Sequence, residues 1–249
     1  VRGGCGEEAA GQRSAGWSEE ALIDCAALSV TQGGRPVVSD ISFRVDTGQV
    51  LGVLGPSGAG KSTLFKLLSG EIADHRGRIR LEGQDVTRLP LWRRARLGLG
   101  YVPQTPSILF DLSVEQNLRT FAEVTGKSPQ IGDWVRRVGL TDQLKVPAQR
   151  LSGGERRRLE LARALVAAPR VLLCDEPFSG VDPKSAELLA ACLKELVQSG
   201  SAVVISDHRV REALELCQRA LLLIDGRVEL EVPASEFAHH PLVRERYLG

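Results

Sequence analysis

The apolar positions of this chain fall into short runs at two spacings. Residues 21–28 (ALIDCAAL) and 41–45 (ISFRV) read as early strands, and 77–83 (GRIRLEG) as another strand between glycines. Continuous apolar runs at 49–54 (QVLGVL), in RVLLCDE (170–176) and in SAVVISDH (201–208) are strand-length and suit positions buried on both faces. Helical patterns lie between them: TLFKLLSG (63–70), stopped by Gly70, PKSAELLAACLKELVQSG from Pro183 to Gly200, and RVREALELCQ (209–218). ALLLIDGRVELE (220–231) predicts a hairpin on an Asp-Gly turn. This alternation predicts an α/β sheet.

The middle of the chain differs. From Pro106 to Arg150 the patterns are helical and contain no convincing buried strand. Ser113 with Gln116 three residues on predicts a capping box before a helix, and IGDWVRRVGL (131–140) predicts another stopping near Gly139. The segment reads as a helical subdomain inserted into the α/β core. Residues 1–20, rich in Gly, Ala, Ser and Glu, lack the apolar centre of a signal peptide and are expected to form a disordered tail. The last stretch, 234–249, reads as short helices.

Composition narrows this picture only slightly. At 249 residues the chain is long enough for one large domain with its own core. A net charge of +1 gives no reason to expect nucleic acid as a partner. Five scattered cysteines without a C-x-x-C pair suggest neither a zinc site nor a disulfide framework. No apolar run approaches the ~18 residues that span a bilayer, so any membrane part is expected on another chain.

Candidate chemistry starts at Gly55-Pro56-Ser57-Gly58-Ala59-Gly60-Lys61-Ser62, which completes G-x-x-x-x-G-K-[ST] between an apolar strand and a helix that opens with Thr63. Its glycines let successive N–H groups converge on phosphates, and the helix N-terminus adds a positive dipole end. Lys61 brings charge to the phosphates, and Ser62 offers a hydroxyl to Mg²⁺. A glycine-rich turn that binds nothing is the competing reading; the full match and its flanks oppose it. Asp175 and Glu176 end a buried strand, where Asp175 suits Mg²⁺ through water and Glu176 suits a general base for an attacking water. Gln104 follows the strand LGLGYVP, within reach of the metal or the attacking water. His208 ends another strand, placed to contact the γ-phosphate or Glu176. His75, His239 and His240 sit outside any motif. LSGGE (151–155) opens the basic run RRRLELARAL and reads both as a second anion loop and as a capping box of Ser152 with Glu155.

The phosphate loop, Gln104, LSGGE, VLLCDEP, SGVDP and His208, in this order, resemble the ATP-binding cassette (ABC) ATPases over residues 21–249. The resemblance implies a P-loop NTPase core with a helical subdomain at about 106–165 and an antiparallel β part. It also implies head-to-tail homodimers enclosing two ATP with Mg²⁺. Ser152 Oγ and the Gly153 and Gly154 N–H groups would then complete the site of the other subunit. Asp182, in SGVDP, would link the two sites. Membrane-spanning transporter subunits are the implied partners, which places the protein on the cytoplasmic face of the inner membrane. A groove between the subdomains would receive a helix of the partner, with LPLWRRARLG (89–98) as a contributor, whereas Arg156, Arg157 and Arg158 read as a solvated face.

Several longer stretches resemble the lipopolysaccharide-export branch, among them SDHRVREAL and VRERYLG, with the branched-chain amino acid importers as the near alternative. One departure is Gln32, which stands where the family stacks an aromatic ring on adenine. An ABC ATPase of DNA repair would need a long coiled-coil insertion between Lys61 and Ser152, and no heptads occur there. A translation factor would carry two such domains. A nucleotide-dependent interaction module without turnover is a further alternative, opposed by intact Lys61, Asp175, Glu176 and His208.

Overall fold

A computed structural model of the chain describes residues 21–126 and 131–249. The expected tail at 1–20 lies outside the described residues. Strands β1 (Ala21–Gln32) and β2 (Arg35–Asp46) form an antiparallel hairpin around Gly33-Gly34. Both run further than the apolar alternation indicates, because the added positions mix buried Val30 and Val38 with exposed Thr31, Gln32, Arg35 and Asp40. With β4 (Arg76–Leu81) and β5 (Gln84–Asp85) they make a four-stranded sheet in the order β2-β1-β4-β5. One row of paired positions across it runs Arg44, Asp24, Arg80, Asp85, so charge alternates at every step.

The second sheet has six strands in the order β10-β9-β3-β8-β7-β6. β3 (Val50–Leu54), β6 (Leu99–Val102), β7 (Val171–Asp175), β8 (Ala202–Ser206) and β9 (Arg219–Ile224) are parallel, while β10 (Arg227–Pro233) returns antiparallel. Its central strands are buried on both faces. Leu51, Val53, Leu173 and Val204 face one core with α1 (Lys61–Ser69) and the first sheet, and Leu172, Cys174, Val203 and Ile205 face the other. α1 buries Leu64, Phe65, Leu67 and Leu68 completely, each worth roughly 1.5–3 kcal/mol. It ends at Gly70, whose φ of 86° closes it as a left-handed cap.

α2 (Leu91–Arg96) precedes β6, and between β6 and β7 the chain forms α3 (Val114–Thr125), α4 (Ile131–Arg137) and α5 (Gly153–Val166). The capping boxes at Ser113 and Ser152 are both present. α6 (Pro183–Gln198) starts on an Asp182 cap. The helix expected over 209–218 is shorter: α7 (Val210–Leu214) stops early because the chain must enter β9, with Gln218 N–H donating to Val50 O (3.1 Å) and Gln218 Oε1 accepting from Val50 N (2.6 Å). The Asp225-Gly226 turn between β9 and β10 has both φ angles positive (46° and 76°), as a tight hairpin requires. Two short helices, α8 (Ala234–Phe237) and α9 (Pro241–Val243), and a single π-helical turn (Arg244–Leu248) close the described chain, packing Phe237 and Val243 into a cluster with Leu54, Ala220 and Leu222.

Among the described residues, no helix is long and apolar enough to cross a membrane.

Candidate functional site

The carboxyl ends of the parallel strands converge on one cavity of about 380 Å³. β3 delivers the phosphate loop to it. A side chain at Gly55 would place its Cβ 2.0 Å from Leu223 O, and one at Gly60 would sit 2.6 Å from Val37 O. These two glycines are therefore demanded by close backbone approach, a reason additional to phosphate binding. Pro56 and Ala59 hold the turn, with Ala59 N–H on Pro56 O (3.3 Å), and Ser57, Gly58, Gly60, Lys61, Ser62 and Thr63 line the cavity.

Lys61 is buried, and its Nζ donates to Gly55 O (2.7 Å) and Pro56 O (2.8 Å). Burial pulls its pKa below the usual lysine value, opposed by the charges of Glu176 and Asp175. Ser62 Oγ lies 3.4 Å from Gln104 Oε1, which brings both oxygens to one wall. Glu176 and His208 form another part of the wall, with His208 Nε2 2.7 Å from Glu176 Oε1. His208 is about half exposed while Glu176 is buried. The backbone of Glu176 adopts a φ of 55°, a left-handed conformation that costs a non-glycine residue of order 1 kcal/mol or more. Asp175 sits behind this wall rather than in it, 1% exposed, its Oδ1 accepting from Ser206 Oγ at 2.6 Å.

Ser152, Gly153 and Gly154 do not line this cavity. They open α5, whose first-turn N–H groups have no partner within the helix. Ser152 Oγ accepts from Glu155 N (3.3 Å) and Glu155 Oε2 accepts from Ser152 N (2.8 Å). That donated N–H holds the Glu155 carboxyl below its ordinary pKa. A Cβ on Gly154 would stand 3.0 Å from Asp182 Oδ2, so the loop rests on the cap of α6.

Three residues of the site escaped the sequence reading. Ser206 holds Asp175. Buried Asp207 fixes the turn that carries His208, its Oδ2 accepting from Phe178 N (2.7 Å) and its Oδ1 from Arg209 N (2.9 Å). Arg157, expected on a solvated face, is 7% exposed and reaches under the cavity. Its neighbours are engaged too: Arg156 donates to Leu151 O (2.8 Å) and Arg158 to Val138 O (2.7 Å).

A second concavity of about 260 Å³ lies between α2 and β6 on one side and α3 and α5 on the other, lined by Leu91, Ala95, Tyr101, Phe121, Arg163 and Ala164 among others. Trp92, 53% exposed on α2, carries Arg93 and Arg96 at 5.0 and 5.3 Å from its ring. Arg94, in the stretch expected to contribute to the partner groove, does not reach that surface. It is fully buried and its guanidinium donates to Leu67 O, Leu68 O, Thr87 O and Leu89 O at 2.8–3.1 Å. Gln32 is exposed at the end of β1, and Val37 is the hairpin residue that lines the cavity.

The family model "ABC transporter" matches residues 38–179. The chain is 42% identical to the lipopolysaccharide export system ATP-binding protein LptB of Acidithiobacillus ferridurans, over 92% of this chain and 97% of that protein. It is 43% identical to a probable ABC transporter ATP-binding protein of Azorhizobium caulinodans, over 89% of this chain and 81% of that one. A nucleotide-free ATP-binding cassette from an ABC transporter superposes with a TM-score of 0.82 at 25% identity, covering 92% of this chain and 99% of that one.

Proposed function

The chain belongs to the ABC transporter family of ATP-binding, ATP-hydrolysing subunits, and from that premise we propose that it works as a head-to-tail homodimer that closes on two Mg²⁺·ATP and drives the membrane-spanning subunits of a lipopolysaccharide exporter. The observation that carries this reading is a division of labour. Lys61, Ser62, Gln104, Glu176 and His208 share one cavity, whereas Ser152, Gly153 and Gly154 open a helix elsewhere. One chain thus holds both halves of a site that two chains assemble.

In this mechanism Lys61 exchanges the carbonyls of Gly55 and Pro56 for oxygens of the β- and γ-phosphates. Ser62 Oγ, Gln104 Oε1 and the Asp175 carboxylate are the oxygen donors that a hard Mg²⁺ takes, with Asp175 set back to act through water. The ion, when bound, neutralises charge on the phosphate oxygens. Glu176 takes a proton from water as the hydroxide oxygen bonds to the γ-phosphorus; the bond to the β–γ bridging oxygen breaks and ADP departs. His208 holds the Glu176 carboxylate and reads the γ-phosphate. Ser152 Oγ and the first N–H groups of α5 cap the γ-phosphate of the partner subunit's ATP. ATP stabilises the dimer because the dimer binds it better than the monomer does, and its hydrolysis lets the dimer open.

The apolar concavity beside Trp92 suits a helix of the membrane partner. The α3–α5 segment, about residues 106–165, is the helical subdomain in this reading, and the whole sits on the cytoplasmic face of the inner membrane. The lipopolysaccharide cargo is drawn from the relative that covers nearly the whole chain. Identifying the membrane proteins that co-purify tests the cargo; subunits of a branched-chain amino acid importer would replace it. Glu176→Gln tests the mechanism. Hydrolysis falls by roughly a hundredfold or more, and size exclusion with ATP shows a dimer. A monomer at every ATP concentration sinks the head-to-tail site.

A further inference from the structure

Arg157 lies on α5, buried beneath the cavity, and all five of its N–H donors are engaged. Nε donates to Pro177 O (3.3 Å), and Nη2 donates to Asp175 O (2.7 Å) and Glu176 O (2.8 Å). Nη1 donates to Pro103 O (2.7 Å) and to Glu160 Oε2 (2.7 Å). Three of these acceptors are consecutive carbonyls through the turn that presents Glu176 in its left-handed conformation. The fourth carbonyl immediately precedes Gln104.

Glu160 extends the grip. Its second oxygen accepts from Ser107 N (2.6 Å), and Arg163, one turn further along α5, donates to Ser107 O (2.6 Å) and Ser107 Oγ (3.0 Å). The loop bearing Gln104 is thereby held at both ends by the helix that also holds the turn of Glu176. Gln104 and Glu176 both line the phosphate cavity. A buried ion pair alone is weak evidence of anything beyond packing. Here the pair satisfies backbone from two separate walls of the site, and only a planar fork with five donors can do so.

We propose that Arg157 is a positioning residue for ATP hydrolysis, a clamp that sets the distance between the Gln104 wall and the Glu176 wall through their backbones. The proposal rests on the assignment of Glu176 as base and Gln104 as a metal or water ligand. Nucleotide binding depends chiefly on the phosphate loop, so the clamp acts on turnover more than on affinity. A lysine keeps the charge opposite Glu160 but cannot span both walls. A paired change to methionine keeps the volume and removes both members of the ion pair, but it strips the donors of four carbonyls and the counter-charge of buried Arg163, so its fold is established before its kinetics are read.

Steady-state ATPase kinetics on the full chain test this with Arg157→Lys and with the double variant R157M/E160M, each checked for cooperative unfolding. The expected result is a kcat lowered roughly tenfold to a hundredfold, with KM for ATP within about threefold of the parent. Added to Glu176→Gln, Arg157→Lys lowers the residual rate by much less than it does alone, since the two act on one step. A folded R157M/E160M with parental kcat, while Glu176→Gln is inactive, overturns the clamp alone. Losses that multiply fully in the combined variant, or a KM that rises in step with the fall in kcat, also overturn it. Parental turnover in Glu176→Gln overturns the base assignment and the clamp with it.

Discussion

Replacing Arg94 with methionine is expected to destabilise the protein far more than replacing its exposed neighbours Arg93 and Arg96. Arg94 is fully buried, and burial lowers its pKa to about 10, so it stays charged at neutral pH. Its donors close the C-terminal end of α1, the helix that follows the phosphate loop. Methionine keeps much of the packing but removes every donor. Two of the four carbonyls retain other partners: Leu67 O accepts from Gly70 N (3.2 Å), and Thr87 O faces His75 Nε2 (3.3 Å). Leu68 O and Leu89 O keep none among the described residues. A buried polar group left unpaired costs roughly 1–3 kcal/mol, so two cost about 4 kcal/mol. That is a large part of the ~5–15 kcal/mol available to a domain. For a chain of this size it lowers Tm by about 10 °C. Thermal and urea unfolding of Arg94→Met measure it, with Arg93→Ala and Arg96→Ala as surface controls expected within about 0.5 kcal/mol of the parent. If Arg94→Met unfolds within 1 kcal/mol or so of those controls, the carbonyls find water or other donors and the reasoning fails.

Two further outcomes follow from the site. Ser152→Arg is expected to abolish hydrolysis while leaving ATP binding to the monomer intact, measured by equilibrium binding below the dimerisation range; lost monomer binding means the loop acts within its own chain. Gln32→Tyr is expected to tighten ATP binding by about fivefold, through a stacking contribution of order 1 kcal/mol, without raising kcat. Titration with ATP and GTP reads both affinity and base preference, and an unchanged affinity places adenine away from the end of β1.

Legibility in the sequence followed the range of the interactions. The phosphate loop, its flanking strand and helix, the Ser113 and Ser152 caps and the Asp-Gly turn are all local, and each formed where its residues indicated. The arginines were opaque for the opposite reason. Arg94, Arg157 and Arg163 sit in basic runs that look solvated, yet their partners are carbonyls 5 to 56 residues away in sequence. One signal was available: Arg157, Glu160 and Arg163 recur every three residues on α5 and so share a face with its buried leucines. Strand length failed similarly, since exposed Thr31, Gln32 and Arg35 interrupt the alternation near the hairpin tip, while the buried Val30–Val38 pair meets only once the hairpin closes. That Asp175 suits Mg²⁺ only through water was legible, but the Ser206 hydroxyl that holds it was not, because it comes from a neighbouring strand.

The Asp225-Gly226 turn carries a consequence for anyone reshaping this molecule. Hairpin tips normally accept inserted peptides, tags or permuted termini, because nothing rests on them. This one is a stitch. Gly226 N–H bonds Ala59 O (3.0 Å) in the phosphate loop, Gly226 O receives Ser39 N–H (2.8 Å) from the other sheet, and any Cβ at Gly226 would stand 2.3 Å from Val37 O. Lengthening the tip by even one residue pulls three segments apart at once, two of them walls of the nucleotide cavity. Insertion scanning of the surface meets a forbidden point here, at a place that hydropathy and turn chemistry alone would nominate as permissive.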